Sequence, residues 1–119
     1  MEKQYFDYEP ALVTDEGKNL MICFDVEHGT EERTQPDSEE PVEVEVIKAY
    51  VVRVEKPINR SVLIDAIVTA EYPADRMQAI INNYLLDMEN EERKAEFDAM
   101  QSWRAEAKTI ATAVMEEIG

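Results

Sequence analysis

PVEVEVIKAYVVRVE, residues 41–55, has the period of a long β-strand. Val42, Val44, Val46, Tyr50, Val52 and Val54 alternate with Glu43, Glu45, Arg53 and Glu55, the period of a strand with one dry and one wet face. Ile47, Ala49 and Val51 make its middle apolar on both faces, so the strand is expected to be half wet at its ends and buried at its centre. Upstream the same period recurs: Leu20, Ile22, Phe24 and Val26 fall on one face, Asn19, Asp25 and Glu27 mark the other, and Met21 and Cys23 lie between. Before that, Asp15-Glu16-Gly17 has the composition of a tight turn in which Gly supplies a positive φ. The N-terminal half, 1–56, therefore reads as an antiparallel meander of three strands. A fourth edge strand is expected at Gln4–Tyr8, ended by Pro10, which cannot donate to a ladder.

Between the two long strands the chain is strongly acidic. Glu27, Glu31, Glu32, Asp37, Glu39, Glu40, Glu43 and Glu45 face a single base, Arg33, with Gly29, Pro36 and Pro41 interspersed. No apolar residue occurs between Val26 and Val42, so residues 28–41 are expected to form a long, mobile, solvated connection.

The second half, 57–119, changes period. Pro57 stops the strand and Asn59 is placed to cap a short helix with Val62, Leu63, Ala66, Ile67 and Ala70 on its apolar side. Tyr72-Pro73 ends it and puts Pro73 at the start of a second helix, whose face is Met77, Ile80, Ile81, Tyr84, Leu85 and Met88. Asn90, Glu91 and Glu92 open a third helix, with Phe97, Met100, Trp103, Ala107, Ile110, Ala111, Val114 and Ile118 as its stripe. Some 27 residues at ~1.5 Å each span ~40 Å, enough for part of the helix to overhang the sheet. The fold class is α+β: a β-meander followed by three helices, the last long and amphipathic, in one domain, 1–119. At 119 residues the chain can bury one core without metal or disulfide staples.

Composition narrows the chemistry. A net charge of −15, from 27 Asp and Glu against 12 Lys and Arg, opposes direct contact with a phosphate backbone or anionic lipid. No stretch approaches the ~18 apolar residues of a membrane span, and the start lacks the pattern of an export signal. A single cysteine, Cys23, precludes an internal disulfide and favours a reducing cytoplasm. Phosphate-cradling and nucleophile motifs are missing, and three glycines leave little to build them from. Cys23 and His28, on opposite sides of a regular strand and ~16 Å apart, are not expected to form a catalytic pair. Glu27, His28, Glu31 and Glu32 match no spacing of a metal-binding loop. No catalytic, cofactor or metal residues are assigned, and the chain is expected not to be an enzyme.

The stripe around the only Trp remains. It admits three readings: a buried helix face, a docking surface, or the wall of a site. A Trp at helical spacing favours a core anchor. On an overhang, however, Phe97, Met100, Trp103, Arg104, Ala107 and Ile110 would be the candidate protein interface, and a homodimer is expected at least part of the time. Arg104 is expected to reach Glu96, Glu106 or an acidic strand residue as a surface pair.

YFDYEPALVTDEGKNLMICFDVEH, AYVVRVEKPINR, AIVTAEYPADRMQAIINNYL and EFDAMQSWRAEAKTIA together resemble small uncharacterised proteins encoded in prophages of gut bacteria, near tail genes. The closing block is also similar to C-terminal segments of phage tail accessory and tail-fibre assembly proteins. The resemblance implies a tail-region accessory or minor particle component that acts by binding protein, a tail or fibre component among its partners, in the host cytoplasm or the virion. It carries no catalytic or binding residue. The rival reading is an acidic mimic of nucleic acid that blocks a host DNA-binding protein, which calls for carboxylates spaced along one exposed face. An acidic loop without fixed geometry argues against it.

Overall fold

The structure, a computed structural model, describes residues 1–34, 36–37 and 39–119. Four strands, β1 (Gln4–Phe6), β2 (Val13–Asp15), β3 (Asn19–Thr34) and β4 (Pro41–Glu55), precede three helices, α1 (Arg60–Glu71), α2 (Ala74–Leu86) and α3 (Glu91–Ile118). The sheet is antiparallel in the order β1-β4-β3-β2. The expected α+β arrangement is therefore present, with the meander as β2-β3-β4 and the short edge strand on β4.

Local chemistry sets the punctuation. Gly17 takes φ +90° in the β2–β3 turn, and its amide donates to Asp15 Oδ1 at 2.8 Å, as a turn requiring a positive φ demands. Lys56 reaches the same carboxylate and Arg53 reaches Glu16 Oε1 at 3.0 Å, tying the turn to the end of β4. Asn59 accepts from the Val62 amide at 2.9 Å and Asn90 from the Arg93 amide at 3.1 Å, each side chain satisfying an otherwise unpaired helix N-terminal donor.

One face of the sheet carries the main core. Leu20, Ile22 and Phe24 of β3 and Val52 and Val54 of β4 meet Leu63, Ile67 and Val68 of α1 and Ala107, Ala111 and Val114 of α3. The buried face of α1 is rotated from the expected one: Ile64 and Val68 join Leu63 and Ile67, while Val62 and Ala70 point to solvent. Adjacent apolar residues left that choice of stripe open, and docking on the sheet settled it.

Strand β3 is not regular. A bulge between Phe24 and Glu27 shifts the register against β4, and Asp25 adopts φ +52°. The extra residue reverses which way later side chains point. Val26 accordingly leaves Leu20, Ile22 and Phe24 and packs with Met21, Cys23, Ala49, Phe6 and Val51 on the opposite, back face. The same shift corrects the expectation for Cys23 and His28. They pair with Val51 and Ile47, which lie on one face of β4, so both look to the back rather than to opposite sides. Four residues of strand, about 13 Å, still separate them.

The back face has its own cover. Since β1 and β2 lie on opposite edges, the six residues from Asp7 to Leu12 must cross the sheet. Tyr8 meets the Phe6 ring edge-on at 5.8 Å, Glu9 pairs with His28 at 2.6 Å, and Pro10 is buried. Beneath lies Cys23, 2% exposed, its thiol pushed up in pKa by burial. Iodoacetamide should therefore modify it in the native protein at least ~100-fold more slowly than in urea, since attack needs a thiolate and an opening. Counting alkylated protein by mass spectrometry at fixed times tests this, and prompt native labelling would contradict the packing.

The largest departure concerns residues 28–41. The two strands stay paired to Thr34 opposite Pro41, so most of the expected mobile connection is a two-stranded ribbon; residues 35 and 38 lie outside the described ones. Val42, Val44 and Val46 give β4 one apolar row here, and Tyr5 sits beside that row with its hydroxyl donating to Glu31 Oε1 at 2.7 Å. Arg33 and Lys48 lie over the Tyr5 ring at 5.5 and 5.7 Å from its centroid. Charge alone argued for a loop, but hydrogen-bonded pairing and these cross-strand contacts outweigh like-charge repulsion that water screens.

Candidate functional site

The α3 stripe mostly looks inward. Met100 and Ala107 are 0% exposed, so two of the six expected interface residues have no surface to offer a partner. Trp103 is half-buried: its indole N–H donates to the Ile67 carbonyl at 2.9 Å, and its ring lies 5.9 Å from Phe24 and 5.5 Å from Tyr50. It joins α3 to α1 and to both long strands. The overhang is real, but α2 lies on it. Tyr72, Ile80 and Met100 form a third buried cluster with Met77, Ile81, Phe97 and Trp103, and Tyr84 stacks on Phe97 at 4.3 Å and 10°. Ile110 packs partly buried against the main core.

Arg104 does not reach Glu106. It lines a groove of about 340 Å³ between α1 and α3 with Ser61, Asp65, Met77 and Lys108, and no ion pair of Arg104 occurs among the described residues. Two positions along a helix are ~200° apart, so Glu106 projects from the other flank. There it meets Asp25 at the bulge, and the hydrogen bond between the two carboxyl groups, with burial and the Asp25 charge, pushes Glu106 up to about 7. Lys3 opposes this. Glu106 so raised adds stability that is complete below the ordinary glutamate pKa near 4.5 and is lost as pH rises through about 7. Glu106→Gln, which keeps a donor without a titrating proton, should raise the melting temperature at pH 8 by a few degrees and leave pH 5 nearly unchanged. The effect stays below about 1 kcal/mol because solvent reaches the pair. Equal shifts at both pH values in calorimetry would count against the shared proton.

Two surfaces remain that periodicity did not single out. At the turn from α2 to α3, Leu85, Leu86 and Met88 are 63%, 78% and 56% exposed. Asp87, Glu89, Glu91 and Glu92 surround them in the chain. Leu85 and Met88 were expected to pack inward, but α2 rests on α3 rather than on the sheet, which leaves its last turn uncovered. Leu86, lying off the expected face, carried the only signal in the sequence: an apolar residue on the polar side of a helix.

The second surface is the ribbon, in which residues 27–34 pair with residues 41–48. Register sorts its charges. Glu27 and Glu31 fall on the valine side beside Lys3, Lys48 and Arg33, and the contact with Tyr5 holds the Glu31 carboxyl below its ordinary pKa. Glu32, Glu43 and Glu45 fall on the back, where Glu32 stands directly opposite Glu43. Among the described residues no ion pair neutralises those three. His28 and Glu32 thus face away from Glu27 and Glu31, so the four residues weighed as metal ligands are divided between two faces. Where β1 ends, a cleft of about 520 Å³ opens at the root of the ribbon, lined by Phe6, Asp7, His28, Thr30, Glu45 and Ile47 among others.

No helix among the described residues is long and apolar enough to cross a membrane. Comparison with protein-family models, with curated proteins and with solved structures gives no match to this chain.

Proposed function

We propose that this chain is a non-enzymatic accessory protein that works by binding another protein, in tail assembly of a phage particle or as a minor component of it. The observation that carries the binding role is the apolar knuckle of Leu85, Leu86 and Met88, three neighbouring side chains each more than half exposed. Clustered apolar side chains at a helix end stabilise a complex once a partner removes them from water. The phage setting, with a tail or fibre component as partner and the host cytoplasm or the virion as location, rests on the sequence resemblance alone.

A tagged pull-down from prophage-induced cells, washed at low and at high salt, tests the reading. Tail or fibre proteins should survive the high-salt wash and be lost from Leu85→Ser/Leu86→Ser, because apolar anchors are not screened. Retention of no protein by the wild type would sink the reading.

A second reading, the acidic mimic of nucleic acid, is favoured by one observation. Glu32, Glu43 and Glu45 stand on paired strands rather than on a loose connection, at about 6.6 Å between alternate residues of a strand. Recovery of a host DNA-binding protein that washes off at high salt would put this reading first.

A further inference from the structure

Among the described residues, no strand pairs with the outer edges of the ribbon except where β1 meets Ile47 and Lys48. On the β4 side, β1 pairs only with Ile47, Lys48 and Ala49, and no strand among the described residues continues that line past Val42, Glu43, Val44 and Glu45. On the β3 side, β2 stops at the pairing of Val13 with Ile22. Unpaired edges usually carry a device that blocks further pairing, such as a proline, a central lysine or a covering loop. Strand β4 opens on Pro41, and after it the edge to Val46 has no proline or lysine; its charges are Glu43 and Glu45, both pointing to the back face, where they repel acidic strands and admit basic ones.

We infer that the β4 edge from Val42 to Val46 accepts an added strand from a protein partner, one that alternates apolar and basic residues. The backbone of the edge supplies donors and acceptors, as in recognition by strand addition. Side-chain alternation supplies the selectivity. Val42, exposed at 40%, and Val44 take apolar residues on one face. Glu43 and Glu45 take Lys or Arg on the other. Thr30 donates to Glu43 Oε1 at 3.1 Å, which holds that carboxylate in place from the neighbouring strand. The added strand would run in line with β1, so its end meets the cleft where Asp7, His28 and Glu45 gather, an acidic seat for a further basic side chain.

A second copy of this chain fits the edge poorly. Pairing β4 with itself about Val44 brings Glu43 and Glu45 of one chain against those of the other, within two molecules of charge −15 each. The inference rests on the binding function proposed above and adds to it a second contact surface, separate from the knuckle.

The probe is a synthetic octapeptide alternating Val and Lys, compared with one alternating Val and Glu and with a Val–Lys peptide N-methylated at alternate positions. Fluorescence anisotropy should show binding of Val–Lys to the wild type, with amide exchange slowed at Val42–Val46 by NMR. Glu43→Lys/Glu45→Lys should weaken Val–Lys by about tenfold or more and turn preference toward Val–Glu. N-methylation should abolish binding, because it removes the ladder donors. Equal binding of the N-methylated peptide would mean simple charge attraction and overturn the inference, as would slowed exchange confined to other residues. A concentration-dependent dimer that itself protects Val42–Val46 would overturn it too. If no peptide binds, yet a partner protein is captured equally by the wild type and the reversed-charge variant, strand addition falls while the binding function stands.

Discussion

Trp103→Ala should cost about 3 kcal/mol or more of folding stability. A domain of this length has roughly 6–18 kcal/mol in all, so the loss is a large share. The substitution removes two ring contacts, to Phe24 and Tyr50, and the N–H donated to Ile67. It also opens a cavity where α1, α3 and the long strands converge. Trp103→Phe keeps a ring and gives up the donor and part of the volume, and should cost about 1–2 kcal/mol. Urea titration followed by circular dichroism separates the two. If Trp103→Ala keeps wild-type stability and only dissociates a complex, the residue belongs to an interface and not to the core.

Ala107→Glu is the second large effect. Ala107 has no exposed surface and sits with Ala111 and Val114 in the main core. A glutamate there must either bury an unpaired carboxylate or push the helix outward. The first costs several kcal/mol and the second about 1–3. The variant is expected to be largely unfolded or to lose at least ~4 kcal/mol. Ala105→Glu, two residues away on the solvent side, should stay within ~0.5 kcal/mol of wild type. A thermal melt of the pair distinguishes a packing effect from the mere addition of another negative charge to an acidic chain.

Both substitutions fall on a stripe that was legible as a stripe and misleading as a surface. The spacing of Phe97, Met100, Trp103 and Ala107 identifies one face of a helix, yet a helix face is apolar for the same reason whether it meets the chain's own core or another protein. The length of α3 suggested an uncovered overhang. What covers it is α2, through Tyr84 on Phe97 and Ile80 beside Met100. The knuckle left exposed by that arrangement, Leu85, Leu86 and Met88, had no signature beyond one apolar residue out of phase. In the ribbon two local signals conflict: acidity favours a loop, while the alternation of Val42, Val44 and Val46 extends the strand to its start.

Features that depend on a few neighbouring residues can be read from the string of amino acids. These are the alternation of β4, the Asp15–Gly17 turn, the Asn59 and Asn90 caps, the break at Tyr72-Pro73 and hence the α+β order of elements. Each is set by interactions within about four residues, whose chemistry is present in the string itself. The bulge at Asp25 that turns Val26 and His28 to the back face, the seating of α2 on α3, and the pairing that holds the acidic residues on a ribbon emerge only when the chain is folded. Those depend on which distant residues are opposite. A shift of one position in a strand exchanges its two faces, while the local pattern that announces the strand barely changes.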